Sequence, residues 1–304
     1  MCGVVGLLIR DSALESQLGS LLVPMIDALD ERGPDSSGLA LYADHGAAGE
    51  PGEAEHLRIS LGSDAVMNWA FVHDGLVAAC GGVFTWSPFG AGVVASLPVA
   101  LAQEFLHALP AISPDIRVLA TGQHVSVLKD TGRPIDTCQR YGVELWQGYM
   151  AVAHTRMATE SAVTVLHSHP FVPTADLCVV HNGSFSNYAT VRRALMTQGI
   201  TFDSDNDSEV AARFLARRLS LGDDLEEATR WVMKEMDGFF TLVITTAKEM
   251  SVVRDAFACK PAVVAETAAY VAVASEYRAL AELPDIGSAR VFEPQPEEVY
   301  TWSR

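Results

Sequence analysis

The stretch Met1–Ile9, MCGVVGLLI, predicts a buried β-strand that begins with a cysteine. It is a short apolar run containing β-branched residues, and the polar segment 10–12 ends it. Removal of Met1, which a small second residue permits, would make Cys2 the amino terminus. Cys2 would then carry a thiol and an α-amine with ordinary pKa values of about 8.5 and about 7.7–8.0. That combination is a nucleophile with its own base, although a cysteine here is also compatible with no role.

Composition and charge limit the function classes. The chain has 304 residues, 49% of them hydrophobic, which is enough for a substantial core in one large domain or two small ones. Its net charge of −17 and the lack of a basic run argue against nucleic-acid binding. The five cysteines are dispersed without a CxxC pair. This pattern predicts a reducing, cytoplasmic location rather than a disulfide framework.

One uncharged run needs a separate interpretation. From Gly75 to Gln103 there is no Asp, Glu, Lys or Arg. A run of this length could span a bilayer. Trp86-Ser87-Pro88 and glycine clusters interrupt it, so we expect no membrane span but a buried or partner-facing segment. The first apolar run ends at Arg10, too early for a signal peptide.

The order of predicted elements indicates an α+β fold. Apolar residues from Leu18 to Leu29 recur at helical spacing, and Gly33-Pro34 ends that helix. A tight polar loop over Arg32–Gly38 then precedes a strand. A long middle section contains a strand near residues 124–128 and no catalytic constellation. Further strands and three helices follow to about residue 236, and strands fill the tail, which predicts a layered α+β domain.

Three later positions offer the chemistry that a cysteine attacking a carbonyl needs. Asn182-Gly183, in a loop that ends a strand, could supply amide and backbone N–H donors for an oxyanion, or it could be a simple turn. Arg156 at a strand end could bind a carboxylate or form a surface salt bridge. Asp207 could bind an ammonium group or favour the dipole of the helix that it begins.

The histidines raise a metal-binding alternative. His154, His167, His169 and His181 lie close together in sequence, with Cys178 among them. Imidazole and thiolate are zinc ligands, but no established ligand spacing is met. We therefore predict no metal site.

Taken in order, several segments resemble class II glutamine amidotransferases, whose nucleophile is an amino-terminal cysteine. The matching motifs are CGVVG at the start, RGPDSSG, HTRMAT, HPF, HNG, NDSE, RDAFACKP and ASE. They cover Cys2–Ala43 and residues 149 to about 283. The resemblance implies a four-layer αββα sandwich of the Ntn-hydrolase type, in a single domain over residues 1–304 with an insertion at about 44–148.

The resemblance also implies a reaction and a role for seven residues. Cys2 would attack the side-chain amide of glutamine to give a thioester that water cleaves. The catalytic group would be Cys2, Asn182 and Gly183, and the substrate-binding group would be Arg156, Thr159, Asp207 and Arg32. Two positions depart from the family pattern, Glu31 before the RGPD loop and Glu160 after Thr159. A carboxylate beside the substrate carboxylate could weaken binding.

The motif variants are most similar to the amidotransferase subunit of N-methylglutamate synthase and its glutamate-synthase-like relatives. The resemblance implies that glutamine or glutamate is bound here and that synthase subunits are separate chains, since the chain ends about twenty residues after the last match. It implies no cofactor on this chain and FMN on a partner subunit. The alternative is a catalytically vestigial subunit with a structural role, and the Gly75–Gln103 run is expected to contact a partner.

Overall fold

The computed structural model describes residues 2–44, 56–81, 84–158 and 162–304. Within them lie strands β1 (Gly3–Ile9), β2 (Ser36–Tyr42), β3 (His56–Gly62), β4 (Thr85–Phe89), β5 (Gly92–Pro98), β6 (Arg117–Gly122), β7 (Val125–Thr131), β8 (Met150–Arg156), β9 (Phe171–Thr174), β10 (Leu177–Phe185), β11 (Gly238–Thr245), β12 (Glu249–Arg254), β13 (Val263–Glu266), β14 (Tyr270–Ala274), β15 (Arg290–Phe292) and β16 (Tyr300–Ser303). The helices are α1 (Leu18–Asp27), α2 (Trp69–Cys80), α3 (Ala102–Ile112), α4 (Pro134–Arg140), α5 (Tyr188–Thr197), α6 (Asp207–Ser220) and α7 (Leu225–Glu235).

The strand that begins after Cys2 lies in the middle of a seven-stranded sheet. The strand order is β15-β13-β14-β1-β8-β2-β7, and β1 pairs antiparallel with β14 and β8, so that Val5 lies opposite both Ala274 and Ala153. All seven residues of β1 are buried. Its unbroken apolar sequence is explained by burial on both faces, as predicted.

Alternate residues of β1 enter two different hydrophobic clusters, because successive side chains of a strand point to opposite faces. Leu7 and Ile9 pack with Leu22 and Met25 of α1. On the other face, Val4 and Leu8 join a cluster that includes β10, β11 and β12. The seven-stranded sheet therefore has α1 on one face and a second sheet on the other.

The second sheet has five strands in the order β16-β12-β11-β10-β9. A third cluster packs β10 and β11 against helices α6 and α7, with Val179 and Leu242 contributed by the strands and Val210 and Val232 by the helices. The mixture of sheets and helices confirms the predicted α+β class.

Asn182 and Gly183 lie inside β10, which corrects the expectation of a strand-ending loop. Both are paired with β11, Asn182 with Thr241 and Gly183 with Phe240. Gly183 has φ +152°, and a Cβ at this position would lie 2.0 Å from the carbonyl oxygen of Phe239. Only glycine avoids that clash in this backbone conformation, so the Asn-Gly pair marks a close strand approach and not a turn. Likewise, the predicted loop Arg32–Gly38 is partly β2.

The predicted insertion at 44–148 contains a four-stranded sheet of its own, in the order β4-β5-β3-β6. Its core includes Ile59 and Phe105 and the buried side of α2. The last part of the section instead joins the main sheet, where β7 pairs with β2. The uncharged Gly75–Gln103 run passes from α2 through β4 and β5 to α3. Within the described ranges, no helix has both the length and the apolar character needed to cross a bilayer.

Candidate active site

Cys2 lies where the two large sheets meet. Its carbonyl oxygen accepts a hydrogen bond from Arg32 Nε at 3.0 Å and another from Asn182 Nδ2 at 3.3 Å. Its sulfur lies 3.8 Å from the carbonyl oxygen of Met157, just after β8. Since Asn182 belongs to the five-stranded sheet and Cys2 precedes β1, these contacts bring residues 180 positions apart into one site. The thiol is partly exposed, so a substrate can reach it.

Arg32 is held by Glu276, for which the sequence predicts no role. Its guanidinium forms an ion pair with Glu276, while Nε holds the Cys2 carbonyl. The neighbouring Ser275 accepts a hydrogen bond from the Val4 backbone at 2.9 Å. Glu276 therefore fixes the arginine that donates to the Cys2 carbonyl. Its signal in the sequence was the ASE motif, which contains Ser275 and Glu276 but does not show which distant residue they contact.

Arg156 ends β8 beside Cys2 and is only 5% exposed. Its Nη1 donates to the Ala162 carbonyl at 2.9 Å. Burial lowers the pKa of Arg156 from its ordinary value, and the nearby Cys2 and Asp35 oppose that shift. A buried guanidinium next to the thiol is a suitable partner for a substrate carboxylate. The predicted partner Thr159 and the departure at Glu160 lie outside the described residues, whereas the Glu31 side chain is exposed to solvent.

Asp207 is the first residue of α6 and contacts the strand that carries Asn182 and Gly183. Its Oδ2 accepts a hydrogen bond from the Phe185 backbone N–H at 2.8 Å, and its Oδ1 accepts one from the Ser208 hydroxyl at 3.1 Å. The Asp207 side chain keeps 21% of its surface exposed. The carboxylate is therefore held in a fixed position but is still reachable by an ammonium group.

The Asn182-Gly183 pair presents two donors at this place. The Asn182 side chain is an amide with two N–H groups, one of which holds the Cys2 carbonyl. Because Gly183 has no side chain, its backbone can be approached closely. Such donors near a nucleophile can stabilise an oxyanion.

Three of the four histidines form a buried cluster behind the site. The ring centroids of His154 and His169 lie 4.1 Å apart, and those of His169 and His181 lie 6.2 Å apart. Burial lowers the pKa of His154 to about 3 and that of His169 well below the ordinary value. Burial also lowers the pKa of His181, although the Asp207 carboxylate opposes the shift. The cluster is therefore neutral at pH 7.

These neutral histidines predict acid-sensitive folding. Unfolded, His154 binds a proton below about pH 6.5, whereas folded it binds one only near pH 3. The free energy of unfolding is therefore highest above about pH 6.5 and falls as the pH drops from there towards pH 3. At pH 5 the loss from His154 alone is about 2 kcal/mol. Urea unfolding at pH 7 and pH 5 measures this loss. In His154→Gln, the loss of unfolding free energy between pH 7 and pH 5 should be smaller by about 2 kcal/mol. In His107→Gln, which replaces an exposed histidine, the loss should stay as in the wild type. An unchanged pH dependence in His154→Gln would contradict the prediction.

The zinc alternative finds no geometric support in the part of the chain that the structure describes. There, no group of three or more His, Cys, Asp or Glu side chains could hold a metal ion. Cys178 packs between the sheets, and burial raises its pKa to about 12. His167 instead lies 2.8 Å from Asp205 and 2.7 Å from the Thr164 hydroxyl. His167 therefore belongs to a hydrogen-bond network, whereas His154 and His169 contact each other mainly through their rings.

Comparisons with known proteins show the family to which the chain belongs. A family model described as a glutamine amidotransferase domain matches residues 154–282. The glutamine amidotransferase-like protein GlxB of Rhizobium meliloti (strain 1021) is 45% identical over 302 residues, which cover 99% of this chain and 98% of that protein. The chain belongs to the class II glutamine amidotransferase family. A putative glutamine amidotransferase of Methanothermobacter thermautotrophicus is 31% identical, with 99% of both chains covered.

A solved structure shows the same fold. Glutamine phosphoribosylpyrophosphate amidotransferase from B. subtilis aligns with a TM-score of 0.61 at 18% sequence identity, over 100% of this chain. The alignment covers 49% of the solved chain, so this protein spans about half of its length. The likeness shows that the two chains share a fold.

Proposed function

We propose that this chain is a glutaminase that releases ammonia from glutamine through a thioester on Cys2. The observation that supports it best is that two side chains donate hydrogen bonds to the Cys2 carbonyl oxygen, Arg32 through Nε at 3.0 Å and Asn182 through Nδ2 at 3.3 Å. Both contacts fall on the residue that carries the sulfur, and one of them comes from a predicted oxyanion donor. Removal of Met1 would give Cys2 a free α-amine close to its own sulfur, so that one residue supplies both the nucleophile and the base.

In the proposed reaction, the α-amine takes the thiol proton and the sulfur attacks the side-chain amide carbon of glutamine. The amide oxygen becomes an oxyanion, which accepts hydrogen bonds from Asn182 Nδ2 and the Gly183 N–H. Collapse of this intermediate breaks the C–N bond, and the protonated base gives its proton to the leaving ammonia. Water then attacks the γ-glutamyl thioester, releasing glutamate and restoring the thiol.

The two charged ends of glutamine have opposite partners in the site. Arg156, a buried cation beside Cys2, is proposed to bind the α-carboxylate with help from Thr159. Asp207 is proposed to bind the α-ammonium, since its carboxylate is fixed against β10 and partly exposed. Arg32 is proposed to orient Cys2. A cation, an anion and an oxyanion hole are the groups that a zwitterionic amide requires.

Active-site labelling tests this proposal directly. The mature protein should lack Met1 by intact mass, and the diazoketone analogue of glutamine should add once, at Cys2, with protection by glutamine. The exposed Cys259 is a natural internal control, because it is reachable but has no such surroundings. Modification of Cys259 in place of Cys2, or a mature chain that retains Met1, would contradict the mechanism.

We further propose that the chain acts in an N-methylglutamate synthase-like or glutamate-synthase-like complex, with the synthase on other chains and FMN on one of them. The edge strand β4 supports a partner contact, because all of its residues (Thr85–Phe89) belong to the uncharged run and none of them is buried. Purification of the untagged complex from cells would identify the other chains. Hydrogen exchange in β4 that is equally fast with and without them would argue against this contact.

The same family membership supports a four-layer αββα sandwich in a single domain over residues 1–304, with the insertion at 44–148. The cluster contents favour it, since α1 packs on one sheet, α6 and α7 pack on the other, and a shared cluster joins the sheets. We propose a cytoplasmic location on the basis of the five unpaired cysteines. The vestigial alternative rests on Glu160 and the uncharged Gly75–Gln103 run, and it is distinguished by the Cys2 variant discussed below.

A further inference from the structure

A separate cavity of about 40 Å³ lies between the inserted sheet, β9 and α6. None of the residues proposed to bind glutamine lines it. One water needs roughly 10–15 Å³ of such space and occupies about 30 Å³ of liquid volume, so the cavity has room for about three waters or for a small organic anion in their place. Its walls are largely apolar and include Leu119, Phe171 and Ala212.

The cavity contains a buried lysine. Lys129, on β7, is 6% exposed, and its Nζ lies 5.1 Å from the centroid of the Phe171 ring. In the described part of the chain, this ammonium group makes no hydrogen bond and no ion pair within 4.0 Å, although the carboxylates of Glu209, Asp203 and Asp64 act on it from farther away and partly oppose the effect of burial on its pKa. Burial of an ammonium without a hydrogen-bonded counter-charge is costly. An aromatic ring face compensates only part of that cost.

The other charged groups of the cavity are already paired with one another. Glu209 accepts hydrogen bonds from the backbone N–H groups of Asp203 and Ser204 at 2.9 Å and 2.7 Å. Arg213 pairs with Asp203 at 2.7 Å and with Glu209 at 3.3 Å. These contacts occupy the carboxylates, so that among the described lining residues Lys129 is the cation to which no carboxylate is hydrogen-bonded.

We propose that this cavity binds a small monocarboxylate, with the carboxylate on the Lys129 ammonium and a short carbon chain on Leu119 and Phe171. Burial lowers the pKa of Lys129 to about 8, so most of the amine is protonated at pH 7 and can pair with an anion. Phosphate fits less well, because its additional charge needs several donors, whereas the described lining residues offer one cation without a hydrogen-bonded carboxylate and also include the carboxylates of Asp203 and Glu209.

Calorimetric titration with propionate at pH 7 tests the proposal, with propionamide as the uncharged isostere and inorganic phosphate as the other anion. The protein should bind propionate and should bind neither of the other two measurably. Lys129→Met should weaken binding by at least about tenfold, the loss expected for a charge-assisted hydrogen bond. Lys248→Met removes the same charge from an exposed position and should leave binding unchanged.

Two additions make each outcome decisive. Ala212→Leu keeps the charge but fills the cavity, so it too should weaken propionate binding. Cys2→Ala should bind propionate normally, which separates failure of this site from failure of the amidase. Lys129→Met should unfold at the same or a higher temperature, because it removes an unpaired buried charge. Equal binding by Lys129→Met, absence of propionate binding, or preference for phosphate would overturn the proposal.

Discussion

Cys2→Ala is expected to lower the rate of glutamine hydrolysis by roughly 10⁴-fold or more, since removal of a covalent nucleophile leaves only the contribution of binding and oxyanion donors. The fold should be unaffected. The Cys2 contacts with Arg32 and Asn182 are made by its backbone carbonyl, which alanine retains. Ammonia release from glutamine, measured on the purified chain and on its native complex, checks the prediction, and circular dichroism checks the fold.

The matched control is Cys259→Ala, which removes an exposed thiol and should leave hydrolysis unchanged. The comparison also decides between the proposed enzyme and the vestigial alternative. If the native complex uses glutamine equally well with the wild-type chain and with the Cys2→Ala variant, the chain has a structural role and the thioester mechanism is wrong. A loss of activity confined to Cys2→Ala is what the geometry around the Cys2 carbonyl leads us to expect.

Where the sequence pattern was strong, it predicted the elements well. The first strand is found where its apolar run predicts it, and the three helices expected before about residue 236 are α5, α6 and α7. The helix predicted from Leu18 begins there but ends at Asp27, earlier than Gly33-Pro34 indicated. Burial explains this success, because one face of each helix and both faces of β1 lie in a hydrophobic cluster.

The failures have physical causes of their own. The inserted four-stranded sheet was not predicted, and for β4 and β5 the reason is that the uncharged run gives no contrast between a core face and a solvent face. The Asn182-Gly183 pair was expected in a loop, because the dipeptide favours turns. What keeps it in a strand is the approach of Phe239 to Gly183. The Arg32–Glu276 pair joins residues 244 positions apart, and a contact of that kind has no local signature.

Asn182→Ala is expected to lower kcat by about 10²–10³-fold, the usual cost of one oxyanion donor, and to change KM little. The reason is that the proposed hydrogen bond from Nδ2 strengthens as the amide oxygen becomes an oxyanion, so its loss affects the transition state more than the ground state. Steady-state glutaminase kinetics measure both constants. As a matched control, Asn68→Ala removes an exposed amide of the inserted section and should leave both unchanged.

Asn182 also holds the Cys2 carbonyl, so a fall in kcat could reflect a displaced thiol, and alkylation separates the two causes. The reaction of the Cys2 sulfur with iodoacetamide displaces iodide without forming an oxyanion, so an oxyanion donor contributes nothing to its rate, whereas a displaced or less accessible sulfur would change it. If Asn182 acts on the oxyanion, Asn182→Ala should alkylate at the wild-type rate while hydrolysing glutamine slowly. Equal losses in both reactions would instead make Asn182 a positioning residue, and the oxyanion would then depend on the Gly183 N–H, which the same strand presents beside it.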